Sequence, residues 1–282
     1  MSTIPAVPTS YTTGDQYKAD ANKAWESELN TLDTLPNAFS QLIYIMFVMM
    51  PTKEKEVGGQ MEYQDYLMDQ VSNQLVPRLD DIKNDFNTII NNPDDTSSLY
   101  QAGADALYQA NEILELIYTN PNLSSNTQLV DNVTSALEGL FVYGQVGDTC
   151  SIQVETVSES ILINNQWETI EVPQLTPYFW STPYGDCTGG GMEVADYWSG
   201  LEVGYAHGES SQSSLSAYES QLQQWTADLN ELSTTFTDFS KTATSVFQFY
   251  MGEEKQLLSI LDNCLQDLSK GEQQAINNEI TS

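Results

Sequence analysis

Three cysteines, one histidine and forty carboxylates are the side chains of this sequence that could carry chemistry. A nucleophile needs a base within hydrogen-bond reach, and the base needs a third group to hold it. His207 stands alone, so it reads as a loop histidine and not as the centre of a triad. Cys150, Cys187 and Cys264 lack the paired short spacing of a zinc site. Cys150 and Cys187 flank a segment of strand character and are a candidate disulfide in an oxidising space, which leaves Cys264 over. Residues 188–191, TGGG, lack the lysine and helix that follow in a phosphate loop. Asp94 and Asp95 lack the alternating oxygen ligands and closing Glu of a calcium loop. With carboxylates everywhere, no pair stands out as acid and base. The expectation is no catalytic site, no cofactor and no metal.

Charge narrows the partners. The 282 residues carry nine Lys and Arg against forty Asp and Glu, a formal charge of −31. No Lys or Arg occurs between Lys83 and Lys241. Such a chain repels phosphate backbones and anionic membrane surfaces, so nucleic acid is excluded as a partner. Salt bridges contribute little where cations are missing, and folding has to rest on apolar burial and neutral hydrogen bonds. A 40% apolar content with fifteen Tyr argues against a disordered acidic tail.

The elements that would position any site are helical. From Leu215 to Tyr250 the apolar residues step by three and four through Tyr218, Leu222, Trp225, Leu229, Leu232, Phe236, Phe239, Ala243 and Val246. That alternation keeps one narrow seam on one side of an α-helix, a surface made to wind against another helix. The second such seam lies in a helix over about 60–90, with Met68, Val71, Leu75, Leu79, Ile82, Phe86 and Ile89. Pro77 falls inside it and predicts a bend or a missing hydrogen bond. Upstream, a first helix over about 15–32 precedes a second one, capped by Asp33 or Thr34, that is apolar all round from Phe39 to Met50. The apolar run 42–50 is too short to span a membrane. Residues 51–59, PTKEKEVGG, read as an elbow. Two shorter helices follow, over about 99–118 and 126–143.

The pattern then changes. Ile152, Val154 and Thr156, then Ile161 and Ile163, then Trp167 and Thr169 alternate, with Asn164-Asn165 between the runs: a β-hairpin. Gly252 and Gly271 predict a break and a stop in the C-terminal helical pattern. The fold class expected is mainly α, an elongated helical hairpin or coiled-coil bundle with a small β-hairpin-containing insertion. Its parts are a disordered leader, 1–14; a helical coiled-coil core, 15–144 and 213–270; a β-rich inserted module, 145–212; and a flexible tail, 271–282. The leader is rich in Ser, Thr and Pro and is no signal peptide, having neither a basic start nor an apolar core.

An uncharged Ser/Thr leader, an apolar helix FSQLIYIMFVMM (39–50), a Gln-rich helix QMEYQDYLMDQVSNQL (60–75), a variable middle and a long C-terminal heptad helix follow in that order. This order resembles the type III secretion filament subunits of the EspA and SseB kind, over about residues 37–90 and 213–250. The resemblance implies a coiled-coil hairpin of N- and C-terminal helices, stacked helically into a hollow filament that carries the needle toward a host cell. It implies self-association, a dedicated type III chaperone, needle or translocator proteins as partners, and signal-peptide-independent export to the bacterial surface. Family members are shorter, and neither 145–212 nor the tail beyond Gly252 has a counterpart in them.

The assembly or chaperone interface is expected at Leu42, Ile43, Ile45, Met46 and Met49. On the C-terminal helix it is expected at Leu215, Leu222, Trp225, Leu229, Leu232, Phe236, Phe239 and Val246. An acidic residue at Leu229 or Phe236 is expected to abolish assembly. The insertion suggests a needle-tip protein as the alternative, since such proteins carry mixed domains between two long helices. A helical pore-forming toxin component is disfavoured by Glu155, Glu159, Glu168 and Glu171 in what would be its apolar tongue. A secreted effector and a helical interaction protein that is never exported complete the alternatives.

Overall fold

The computed structural model describes residues 14–91, 96–141, 150–163, 166–179 and 212–280. The described residues form a mainly α fold with a two-stranded antiparallel β-hairpin. Helix α1 is Gly14–Leu32. The second helix, α2, runs over 38–91 without a break in helical structure. It is followed by α3 (Thr96–Thr119), a single turn α4 (Pro121–Ser124) and α5 (Thr127–Phe141). Strands β1 (Cys150–Ile163) and β2 (Gln166–Phe179) come next, and α6 (Gln212–Ile280) closes the chain at 69 residues.

Caps mark the starts. Asn37 is the N-cap of α2, its side-chain oxygen accepting the Ser40 backbone N–H at 2.8 Å. The expected cap, Asp33 or Thr34, instead lies in the turn after α1. Asn120 caps α4, with Pro121 supplying a fixed φ at its first position. Asn126 accepts the Leu129 N–H and caps α5.

Neither proline in α2 breaks it. Ile45–Met49 and Val71–Leu75 are π turns, and each ends two residues before a proline, Pro51 and Pro77. The N–H of Met50 reaches back to Ile45, and that of Val76 to Val71. The widened turn makes room where the proline ring would meet the preceding turn of an α-helix. It also rescues the seam. Val71, Leu75 and Leu79 are spaced by four and four, which in a pure α-helix drifts by about 80°; the π turn takes up the drift, and all three are buried. The elbow expected at 51–59 is therefore helix, with Glu56, Val57 and Gly59 buried.

The chain divides into two compact units, one of residues 1–68 and 241–282 and the other of residues 69–240. The second unit holds most of the apolar core. Leu79, Ile82 and Ile89 of α2, Ile113, Leu114 and Ile117 of α3, Leu137, Leu140 and Phe141 of α5, and Trp225, Leu232 and Phe236 of α6 are essentially sealed from solvent. Arg78 and Lys83 are its two cations. Both stitch helices together: Arg78 reaches Glu112 of α3 at 3.4 Å, and Lys83 reaches the Ser233 hydroxyl of α6 at 3.4 Å. The first unit is more polar inside. Glu28, Glu56, Gln60 and Gln64 are buried beside Met46, Met49, Val57 and Leu67.

Helix α6 passes unbroken through Gly252 and Gly271 to Ile280. A Cβ at either glycine would meet nothing within 4 Å, so these glycines cost helix propensity without serving a close approach. The stop and flexible tail expected near 271 are helix up to 280.

Candidate functional site

The expected site residues fall into two sets. On α6, Trp225, Leu229, Leu232 and Phe236 are core residues of the second unit; Phe239 and Val246 are half-buried. Leu215 and Leu222 lie on α6 with side chains outside the described residues. A partner meets the buried four only in a chain that has opened there. On α2, Met46 and Met49 point into the first unit, and Leu42 and Ile45 are half-buried. Ile43 is exposed, and so is Phe47, to 67%. The all-round apolar stretch thus splits into an inner Met face and an outer Ile43/Phe47 face.

Polar contacts hold that inner face in place. The Tyr44 hydroxyl donates to Glu28 of α1, and this bond raises the phenol above its ordinary range. The Lys53 ammonium stands 5.9 Å from the Trp25 ring centroid and 2.9 Å from Glu56, joining α1 to α2 by a cation–π contact and an ion pair. The Thr244 hydroxyl donates to the Met68 sulfur at 3.1 Å and so ties α6 to α2 within the same unit.

Among the described residues, most of the exposed apolar side chains belong to the first unit. Leu29, Ile43, Phe47, Phe249, Leu258, Ile260, Leu265 and Ile276 are all exposed there. Residues 257–268 of α6 carry a further 3/4 pattern, Leu257 or Leu258, Leu261, Cys264 or Leu265, and Leu268, none of which is buried. Sequence periodicity alone could not separate this seam from the buried one upstream.

Two of the cavities lie between helices of the second unit. One, of about 590 Å³, lies between α5 and α6 and is lined by Asn132, Asn230, Thr234 and Asp238 with Leu129 and Phe239. Another, of about 440 Å³, lies between α2 and α3 and is lined by Asp85, Asp105, Thr88, Ser98 and Gln101. Burial and the nearby Asp105 and Asp81 push the Asp85 carboxyl up to about 7. Neither cavity contains a Cys, His or Lys. Among the described residues no group of three His, Cys, Asp or Glu is placed to hold a metal ion. Also among them, no helix is long and apolar enough to cross a membrane. Cys264 is a free thiol, half-buried on α6. Cys187 of the candidate disulfide lies outside the described residues, as do His207, the TGGG stretch and the leader 1–13.

Sequence reasoning missed one arrangement. Asn111 of α3 clamps β2: its side-chain oxygen accepts the Leu175 N–H at 2.8 Å, and its side-chain nitrogen donates to the Leu175 carbonyl at 3.0 Å. An amide side chain here takes the place of a neighbouring strand. An isolated Asn in a helix gives no signal of this. Beyond the clamp the hairpin ends in an exposed cross-strand pair, Leu162 and Trp167, at 55% and 74% exposure.

No family profile, no curated protein and no solved structure matches this chain.

Proposed function

We propose that this protein is a self-assembling structural subunit without catalytic activity. In this reading it is exported without a signal peptide and polymerises into the extracellular filament of a bacterial type III secretion apparatus. The observation that carries the reading is the exposed Ile43/Phe47 face of α2. That face lies inside the stretch 39–50 on which the resemblance rests, and it leaves a phenylalanine 67% open to water. An apolar face like this marks a contact surface on an otherwise acidic protein. Repetition of that contact between copies builds a polymer if the surface it meets lies elsewhere on the subunit. A small chaperone would cover it before export.

The hairpin between α5 and α6 favours a second reading, the needle-tip protein of the same apparatus. Light scattering and negative-stain microscopy on the purified chain separate the two. Polymers that disappear in Phe47→Asp support the filament. A stable monomer in the absence of any chaperone removes it and leaves the tip protein or an effector. Phe47 is the better probe than Leu229 or Phe236, because a carboxylate at either buried position disrupts the second unit itself. Export of a reporter fused to residues 1–20 tests the secretion half of the reading, and no transfer overturns it.

A further inference from the structure

The Asn111 clamp fixes the phase of the hairpin ladder. Both backbone polar groups of Leu175 are taken by Asn111, so they point away from β1. Val154 and Leu175 are therefore a non-hydrogen-bonded pair. The register has no bulge, so every second residue shares this phase. On β2 these residues include Pro173 and Pro177, which explains how two prolines fit a strand: neither removes a ladder hydrogen bond. On β1 they are 152, 154, 156, 158, 160 and 162, and none is proline. The outer edge of β2 is thus blocked by two prolines and a clamp. Among the described residues no strand pairs with the outer edge of β1, which presents the N–H and C=O groups of Thr156, Ser158, Ser160 and Leu162.

We propose that this edge pairs antiparallel with β1 of a second copy, with Ser158 on the two-fold axis. Charge and apolar contact together select the copy's register. Glu155 and Glu159 lie on one face of β1, and registers centred on 157 or 159 set carboxylate against carboxylate. Centring on Ser158 places Glu155 opposite Ile161 and Glu159 opposite Val157 of the partner. On the other face it brings exposed Leu162 against exposed Val154. Each copy's Trp167–Leu162 pair then continues into the other's Val154–Leu175 pair, giving an apolar row across four strands. The same register lines up Ser160 with Thr156 between the rows. The contact does not use the Ile43/Phe47 face, so it goes beyond the filament reading and stands or falls separately.

The test is sedimentation velocity of the full chain carrying Phe47→Asp, which removes polymerisation through the Ile43/Phe47 face, over a concentration series at high salt, which screens the acidic surfaces. Amide exchange is followed in the same samples. A reversible dimer is expected, with the N–H groups of Ser158, Ser160 and Leu162 gaining protection as the dimer forms. Ser160→Pro removes one outward N–H and no bond to β2, so it should abolish the dimer with the hairpin intact. Leu162→Lys breaks the apolar row and should weaken the dimer at least about tenfold; it decides the matter if the proline perturbs the hairpin. A chain that stays monomeric, association without protection at those three amides, or a Leu162→Lys dimer of undiminished affinity overturns the inference.

Discussion

The Phe86 and Trp225 rings meet edge to face, with centroids 5.8 Å apart and planes at 85°. Here the seam of α2 and the seam of α6 close on each other inside the second unit. Trp225 is fully buried and is among its largest sealed side chains. Trp225→Ala should lower stability by about 3–5 kcal/mol through lost burial and the cavity left behind. Trp225→Phe should cost less, since a ring remains to meet Phe86. Urea unfolding followed by circular dichroism gives both values, and a loss for Trp225→Ala below about 1 kcal/mol would show that α6 does not hold this core.

Asn111 and Leu175 make the second prediction. Asn111→Ala leaves a buried strand N–H and C=O without their partners, at a cost of about 1–3 kcal/mol. The loss should be local. Amide exchange at Leu175 should speed up while the amides of Ile113 and Ile117 on α3 keep their protection. Equal loss across α3 would mean that the hairpin and helix unfold as one unit.

The helical seams and the two strands of the hairpin were legible because burial imposes a period on the sequence, three and four for α2 and α6, two for β1 and β2; the Asn164-Asn165 turn lies outside the described residues. What did not show was continuity. Pro51, Pro77, Gly252 and Gly271 carry strong local breaking signals, yet the helices run through all four. At the prolines a π turn removes the steric conflict, an option that a 3.6-residue period does not express. At the glycines a cost of about 1 kcal/mol each is too small to end a long helix. Nor could periodicity say which seam stays buried. Leu229 and Leu265 belong to the same kind of pattern, but Leu229 is core and Leu265 is exposed. That difference depends on what packs opposite, which is tertiary information.

Asp85 sets a pH dependence. Its folded pKa of about 7 lies above the 3.8 of the unfolded chain. Between these values the folded state binds the extra proton, so this group's contribution to stability rises as pH falls through about 7 and levels off near 4. Above pH 7 the carboxylate is ionised in both states, and the fold bears the burial and the repulsion from Asp105 and Asp81. Asp85→Asn should stabilise the protein at pH 8 by about 1–2 kcal/mol, a figure reduced because water reaches part of the carboxyl. The advantage should shrink as pH falls below 7 and vanish only near pH 4, where the unfolded carboxyl is protonated as well. Thermal unfolding of both proteins across this range checks it; a constant difference at all pH values would rule out titration of Asp85 as the cause.

Pro77 tests the account of the π turns. A proline inside an α-helix costs about 3 kcal/mol relative to alanine, from a lost N–H bond and a clash with the preceding turn. In α2 the turn Val71–Leu75 is already widened, and its closing bond, from Val76 to Val71, bypasses the conflict. Leu75 and Leu79, both sealed in the core, resist any return to α geometry because that would rotate Val71 off the buried face. Pro77→Ala should therefore gain about 1 kcal/mol or less, and the π hydrogen bond from Val76 should persist in the amide-exchange pattern. A gain near 3 kcal/mol would show that the proline strains α2 after all and that the π turn is its symptom rather than its accommodation.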